Sequence, residues 1–325
     1  MPLERVAVIG AGAWGTALAQ AAAMAGRYVS LVARNEAVIA EINARRTNSA
    51  YLGALQLSDR ISAAPALAEG TELVILAVPA QASRKALTGL GASALEGLPV
   101  VLSAKGLETG TLLRQSEILA QCAPGARAYV LSGPSFAHDV AAGRPTAVTL
   151  AGSDREETET IAAALAGPSF RPYAADDLLG VELVGALKNV YALACGAVEG
   201  AGLGASARAA LIARAYAELG RLVVAAGGSA QTLGGLAGLG DLTLSCTSAQ
   251  SRNYSQGMAL GRDEPLRPGG ALAEGVATAP VAQAMARRLG VDAPLVDAVN
   301  LLLDRDVSIT QILSGLMARP LKRED

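Results

Sequence analysis

Lys188 stands inside the apolar run VELVGALKNVYALACGAVEG, Val181 to Gly200. At about 3.6 residues per helical turn, its same-face neighbours are Val184, Gly185, Tyr191 and Ala192, none of which carries a charge that could pair with it. An ammonium group so placed either bends its stem outward to water or is held inside to move a proton or bind an anion. The local pattern leaves both readings open.

A second chemical signature is GAGAWG, Gly10 to Gly15, which matches G-x-G-x-x-G in the required context. An apolar run, Val6 to Ile9, ends at it, and an alanine-rich stretch continues to Gly26. Gly10 then makes the tight turn, Gly12 lets the backbone approach a pyrophosphate, and Gly15 permits close helix packing. The helix N-terminus faces the phosphates. Trp14, inside the turn, can cover a cofactor or simply pack. The second strand, YVSLVA, ends at Arg34 and Asn35, with Glu36 displaced beyond them. An acidic residue there would hold a ribose 2′-hydroxyl, whereas arginine suits a 2′-phosphate. The pattern favours NADP over NAD; the alternative is a solvated arginine at a loop.

Other polar residues have bland readings beside chemical ones. Lys105 in SAKGLE follows a strand, where ligands of open α/β sheets bind, but any surface lysine could stand there. In SGPSFAHDV, Ser132, Gly133, Pro134 and Ser135 form a turn, and Ser135 can cap a following helix. His138, the sole histidine, reads as a surface or packing residue, which leaves no histidine for proton transfer. Asp241 in GLGDL is either a helix N-cap or a reacting group's neighbour. Ser251, Arg252 and Asn253 offer a hydroxyl, a guanidinium and an amide suited to phosphate, or form a polar loop.

The elements that must position these residues change character along the chain. Apolar strands at Val6 to Ile9, Tyr28 to Ala33, Glu72 to Val78, Pro99 to Ala104, Ala128 to Leu131 and Thr146 to Ala151 alternate with helical patterns. That order predicts a doubly wound, largely parallel sheet with helices on both faces. After Tyr173 helical periods dominate: Leu178 to Glu199, Ala205 to Ala226, Leu272 to Leu289, Pro294 to Leu303 and Ser308 to Met317. The expected division is a dinucleotide-binding domain over residues 1–176 and a helical substrate-binding domain over 177–325. LKRED at the C-terminus reads as a solvated, frayed tail.

Composition narrows the partners. With 51% apolar and 17% charged residues among 325, the chain is globular rather than disordered. Aromatics at 3% argue against stacking platforms for nucleic acid, and a net charge of -2 gives no general attraction to polyanions. Three widely spaced cysteines without a C-x-x-C pair suggest neither a disulfide framework nor a metal site. No signal segment is expected before the first strand, and no apolar run is expected to reach the ~20 residues of a membrane span. A cytoplasmic protein without membrane insertion is expected.

The chain closely resembles the NAD(P)-dependent glycerol-3-phosphate dehydrogenases of bacterial type. The resemblance runs from about Val6 to Gly315 and rests on GAGAWGTALA, SAKGLE, SGPSFA, GALKNVYA, GLGDL, QSRN and EGVATA. It implies an N-terminal Rossmann domain, a helical C-terminal domain and substrate between them. It further implies reduction of dihydroxyacetone phosphate to sn-glycerol 3-phosphate, a phospholipid precursor, with NADPH preferred or NADH. Matched residue by residue, Lys188 is the general acid/base, Asp241 its partner, and Lys105 a substrate and cofactor contact. Gly133, Ser135, Ser251, Arg252 and Asn253 fall at substrate positions. Trp14, Arg34, Ala137, Arg252 and Glu274 fall at cofactor positions. Between Gly261 and Leu272 the segment GRDEPLRPGGA is shorter and richer in proline and glycine than the family's usual helical segment. A homodimer is compatible with the apolar helical half. Two rivals differ in their demands: a dehydrogenase of hydroxy acids needs an arginine aimed at a carboxylate, and an NADPH-sensing module leaves Lys188 and Asp241 without a role.

Overall fold

The computed structural model describes residues 3–265, 273–305 and 307–318. The LKRED tail, most of GRDEPLRPGGA and the expected helix start at Leu272 lie outside the described residues.

The first half alternates strands and helices: β1 (Arg5–Ile9), α1 (Ala13–Met24), β2 (Tyr28–Val32), α2 (Glu36–Arg45), α3 (Ser49–Leu52), β3 (Ile61–Ala64), β4 (Leu73–Leu76), α4 (Ser83–Leu90), β5 (Pro99–Leu102), α5 (Gln115–Cys122), β6 (Arg127–Ser132), α6 (Ala137–Ala141), β7 (Thr146–Gly152), α7 (Arg155–Leu165) and β8 (Phe170–Ala175). One eight-stranded sheet has the order β3-β2-β1-β4-β5-β6-β7-β8. Every pair is parallel except β6 with β7. The central β4 and β5, LVIL and PVVL, are buried at every position, as strands covered on both faces must be. The strand order reverses at β1 and β4, which opens a crevice at their carboxyl ends.

Two strands escaped the sequence reading. ISAA of β3 has one large apolar residue, and FRPYAA of β8 carries Pro172; both lie at sheet edges, where such sequences are tolerated.

After Ala175 the described elements are helical: α8 (Leu178–Gly200), α9 (Gly204–Ala225), α10 (Ala230–Leu233), α11 (Asp241–Thr247), α12 (Arg252–Gly261), α13 (Glu274–Leu289), α14 (Pro294–Asp304) and α15 (Ile309–Met317). The central member is α8, fixed at its start by Asp177, whose carboxylate accepts from the Gly180 and Ser229 N–H groups, both at 2.9 Å. Glu182 on α8 is buried and accepts from the Ser116 N–H at 2.8 Å and the Arg114 guanidinium at 3.2 Å, tying down the first turn of α5. Burial pushes the Glu182 carboxyl up against the pull of these donors.

Helices α8 and α12 meet backbone to backbone. A Cβ on Gly196 or Gly200 would lie 2.0 or 2.1 Å from the carbonyl oxygens of Tyr254 and Met258. On the opposing helix, a Cβ on Gly257 or Gly261 would lie 2.1 Å from those of Leu193 and Ala197. Glycine inside a helix costs roughly 1 kcal/mol relative to alanine; here only glycine fits.

The expectation that no run reaches membrane length needs correction. Helix α8 has 23 residues and a mean hydropathy of 1.5 over its most apolar window, long and apolar enough by length and composition to cross a membrane. The interruptions at Glu182 and Lys188 concealed it. That window is 83% buried within the protein, the position of a core helix.

Candidate active site

The site gathers at the carboxyl ends of the strands. Gly10, after β1, has φ +109° and donates its N–H to the Val32 carbonyl at 2.9 Å, closing the turn. Gly15 packs so tightly that an added Cβ would lie 1.8 Å from the Gly10 oxygen. A Cβ on Gly12 would meet nothing within 4 Å. One glycine is therefore required by conformation, one by packing, and the third faces open space before the N-terminus of α1. This cradle fits a dinucleotide pyrophosphate. Trp14 is half-buried against the core formed with α1 and the first strands, with Nε1 buried and without a partner among the described residues. Arg34 is exposed just beyond β2, while Asn35 caps α2 by accepting from the Ala37 N–H at 2.9 Å.

Lys188 does not reach outward. It is 6% exposed, and its Nζ donates to Asp241 Oδ1 at 2.6 Å and to Ser245 Oγ at 2.5 Å. The other carboxylate oxygen, Oδ2, accepts from Lys105 Nζ at 2.7 Å, and Lys105 Nζ also donates to the Gly133 carbonyl at 3.0 Å. One buried carboxylate thus bridges two ammonium groups. An ammonium has three donors, and two of those on Lys188 are committed.

The electrostatics follow from this geometry. Burial pushes the Lys188 pKa down to about 8, Asp241 opposes that shift, and the Lys105 ammonium adds to it. Burial also resists ionisation of Asp241, yet the ammonium groups of Lys105 and Lys188 together hold its carboxyl below the usual range. The site is an ion triad with one net positive charge.

Asp241 opens α11 but makes no capping bond; the N-cap is Gly240, after a π-helical turn over Leu236–Gly240. The capping reading fails because the side chain is drawn to the lysines instead. Ser135 does not cap either: the N-cap of α6 is Phe136, with no side-chain bond, and Ser135 Oγ donates to the Gly133 carbonyl at 2.9 Å. Ala137 is the first residue of α6, half-buried, and His138 beside it is exposed. The polar-loop alternative for 251–253 fails: the stretch starts α12, where Ser251 is the N-cap and accepts from the Tyr254 N–H at 3.3 Å. Arg252 is exposed at the first turn, with no hydrogen bond or ion pair among the described residues.

Two residues that sequence reading passed over complete the arrangement. Ser245 lies one turn beyond Asp241 on the same face of α11, a spacing that could have been read. Asn189 follows Lys188 and donates to the Lys105 carbonyl at 2.8 Å. Asn253 donates to Asn189 Oδ1 and accepts from the Gly275 N–H, both at 2.9 Å. Glu274 accepts from the Ala80 N–H at 3.0 Å and the Lys105 N–H at 3.2 Å. Lys105 is therefore held by its N–H, its carbonyl and its ammonium. A separate groove of about 520 Å³ between α13 and α14, lined by Gln283, Arg287, Asp297 and Asn300, includes none of these residues.

Residues 5–158 match the model of the NAD-dependent glycerol-3-phosphate dehydrogenase N-terminus, and 177–314 that of its C-terminus. The chain is 50% identical to glycerol-3-phosphate dehydrogenase [NAD(P)+] of Brucella ovis, covering 99% of each. It is 48% identical to that of Caulobacter vibrioides, covering 100% of each. The crystal structure of glycerol-3-phosphate dehydrogenase from Coxiella burnetii superposes with a TM-score of 0.91 at 35% identity, over 98% of this chain and 100% of that one. D-mandelate dehydrogenase, with a TM-score of 0.65 at 14% identity over 93% and 97% of the two chains, shares the fold alone. Two consecutive family models matched in order, with full-length relatives at half identity, leave one assignment: the chain belongs to the NAD-dependent glycerol-3-phosphate dehydrogenase family.

Proposed function

We propose that the protein reduces dihydroxyacetone phosphate to sn-glycerol 3-phosphate, with residues 1–176 holding the cofactor, 177–325 the substrate, and Lys188 as the proton donor. The observation that carries this reading is the buried Lys188 ammonium, bonded to Asp241 and Ser245 with a third N–H uncommitted. A nicotinamide dinucleotide, when bound, supplies the hydride. Reduction of the C2 carbonyl leaves an alkoxide, and Lys188 offers both the proton and positive charge at that oxygen. Asp241 keeps the amine protonated, and Lys105 adds charge to the same pocket. Arg252, with the adjacent Ser251 and Asn253, meets the substrate phosphate, and Gly133 and Ser135 are further substrate contacts. Gly10, Gly12, Gly15, Trp14, Ala137 and Glu274, together with Lys105 and Arg252, hold the cofactor.

Mixing the protein with NADPH and dihydroxyacetone phosphate and following nicotinamide absorbance tests the reading directly. No oxidation beyond background would overturn it; turnover of a 2-hydroxy or 3-hydroxy acid instead would favour the hydroxy-acid rival. The protein works in the cytoplasm, and a homodimer is the assembly to test by sedimentation.

NADPH is the proposed preference, because Arg34 stands exposed where an acidic residue would select a 2′-hydroxyl. Arg34→Asp is expected to weaken NADPH about tenfold more than NADH, since a carboxylate repels the 2′-phosphate and accepts from a hydroxyl. Titration of both cofactors against both proteins checks it; an unchanged ratio places selectivity elsewhere.

Arg252→Ala is expected to raise KM for dihydroxyacetone phosphate by roughly 10- to 150-fold, the worth of a lost charge-assisted hydrogen bond. Arg252→Lys recovers part of this, because a point charge cannot reproduce the guanidinium fork. Unphosphorylated dihydroxyacetone is the control. If Arg252→Ala harms it equally, Arg252 does not read the phosphate.

A further inference from the structure

Behind the glycine turn lies a residue that neither the motif nor the family resemblance assigns. Asn48 is 0% exposed, and its Nδ2 donates to the Ala11 carbonyl at 3.0 Å and to Thr16 Oγ1 at 2.8 Å. Its Oδ1 is buried without a partner. Among the described residues, only its donor end is bonded.

Both neighbours of Asn48 are pinned by one carboxylate. Glu41 Oε1 accepts from Thr47 Oγ1 and from the Ser49 N–H, each at 2.8 Å. Asn48 is thereby presented to the turn by a support from the middle of α2.

The consequence rests on peptide geometry. In a trans peptide the carbonyl of one residue and the N–H of the next point in opposite directions, and the described chain has no cis peptide. With the Ala11 carbonyl bound to Asn48, the Gly12 N–H must point away from it. A Cβ on Gly12 would meet nothing within 4 Å, so the turn has open space beside that residue.

We propose that Asn48 is a positioning residue that acts through the Ala11–Gly12 peptide, fixing the donor direction in the anion-binding turn. The ligand chemistry it serves is a pyrophosphate, whichever nicotinamide dinucleotide carries it. The inference rests on the dinucleotide-binding reading above.

Binding to the full chain, measured by calorimetry with NADH, NADPH, ADP-ribose and adenosine 2′-monophosphate, tests it. Wild-type protein that bound no dinucleotide would sink the broader reading, separately from this one. Asn48→Ala is expected to weaken the three pyrophosphate ligands alike, about tenfold for one lost tether. The 2′-monophosphate, which has no pyrophosphate, should change less than about twofold. Asn48→Asp, an isostere, is expected to lose at least as much, because an acceptor then faces the Ala11 carbonyl. Unchanged dinucleotide affinity in a folded variant overturns the proposal. So does equal weakening of the 2′-monophosphate, which would mark a general loosening. If neither variant folds, Thr16→Val decides: it removes one of the two acceptors and should weaken the pyrophosphate ligands by roughly two- to threefold in the same pattern, and unchanged affinity again overturns it.

Discussion

Replacement of Lys188 by methionine is expected to leave a folded protein whose kcat for carbonyl reduction has fallen by at least about 10²-fold. Methionine keeps an unbranched apolar stem in a site that is 6% exposed, so packing changes little. The proton donor and its charge are both lost, and each contributes on the order of 10²-fold or more. Single-turnover kinetics on the purified variant, with circular dichroism to confirm the fold, provide the measurement. A variant retaining more than about a tenth of wild-type kcat would remove Lys188 from the reaction. The same group sets a pH dependence. With its pKa pushed down to about 8, Lys188 is an ammonium below that value and an amine above it. Reduction, which needs the acid, should be fully present below about pH 8 and decline above it. Oxidation of the alcohol, which needs the base, should rise through the same range.

Asp241→Asn is expected to do comparable damage by a different route. The carboxylate is 1% exposed and bonded to Lys188 at 2.6 Å and to Lys105 at 2.7 Å. Removing one member of a buried ion pair costs about 3–5 kcal/mol because the remaining charge is left uncompensated. Here two ammonium groups are left facing each other. Lys188 should relieve this by losing its proton more readily, so the alkaline limb of the reduction profile should move down by a unit or more. Denaturant unfolding measures the first effect and the pH profile of kcat the second. An unshifted profile in a folded protein would mean that Asp241 does not hold the proton on Lys188.

The parts of this site that could be read from sequence were those whose chemistry is local. GAGAWG carries its reasons within six residues: Gly10 stands where a turn requires it and Gly15 where close packing does, while Gly12 faces open space. Lys188 was conspicuous because its helix supplies no partner; the partner comes from α11, 53 residues later in the chain. Asp241 was harder, because a capping residue and a reacting one have the same composition, and Ser251 because a phosphate ligand and a polar loop do. Only the tertiary contact separates them: Ser251 does cap α12, whereas Asp241 forgoes its cap for two lysines. Asn48 was illegible altogether, since it acts on Ala11, 37 residues earlier, through a loop with no motif. The edge strands β3 and β8 were lost for the opposite reason. Edge position relaxes the demand for apolar side chains, and with it the pattern that announces a strand.

The glycine contact between α8 and α12 has a consequence in time rather than in space. Glycines have no rotamers to surrender, so the two backbones close on each other without that entropic cost and exclude water from the amides along the seam. Amides over 193–200 and 254–261 should therefore be among the slowest in the protein to exchange their hydrogens with solvent. Lys188 and Asn253 stand on these same two helices. The Lys188 ammonium is thus carried by a helix expected to be among the last elements to open.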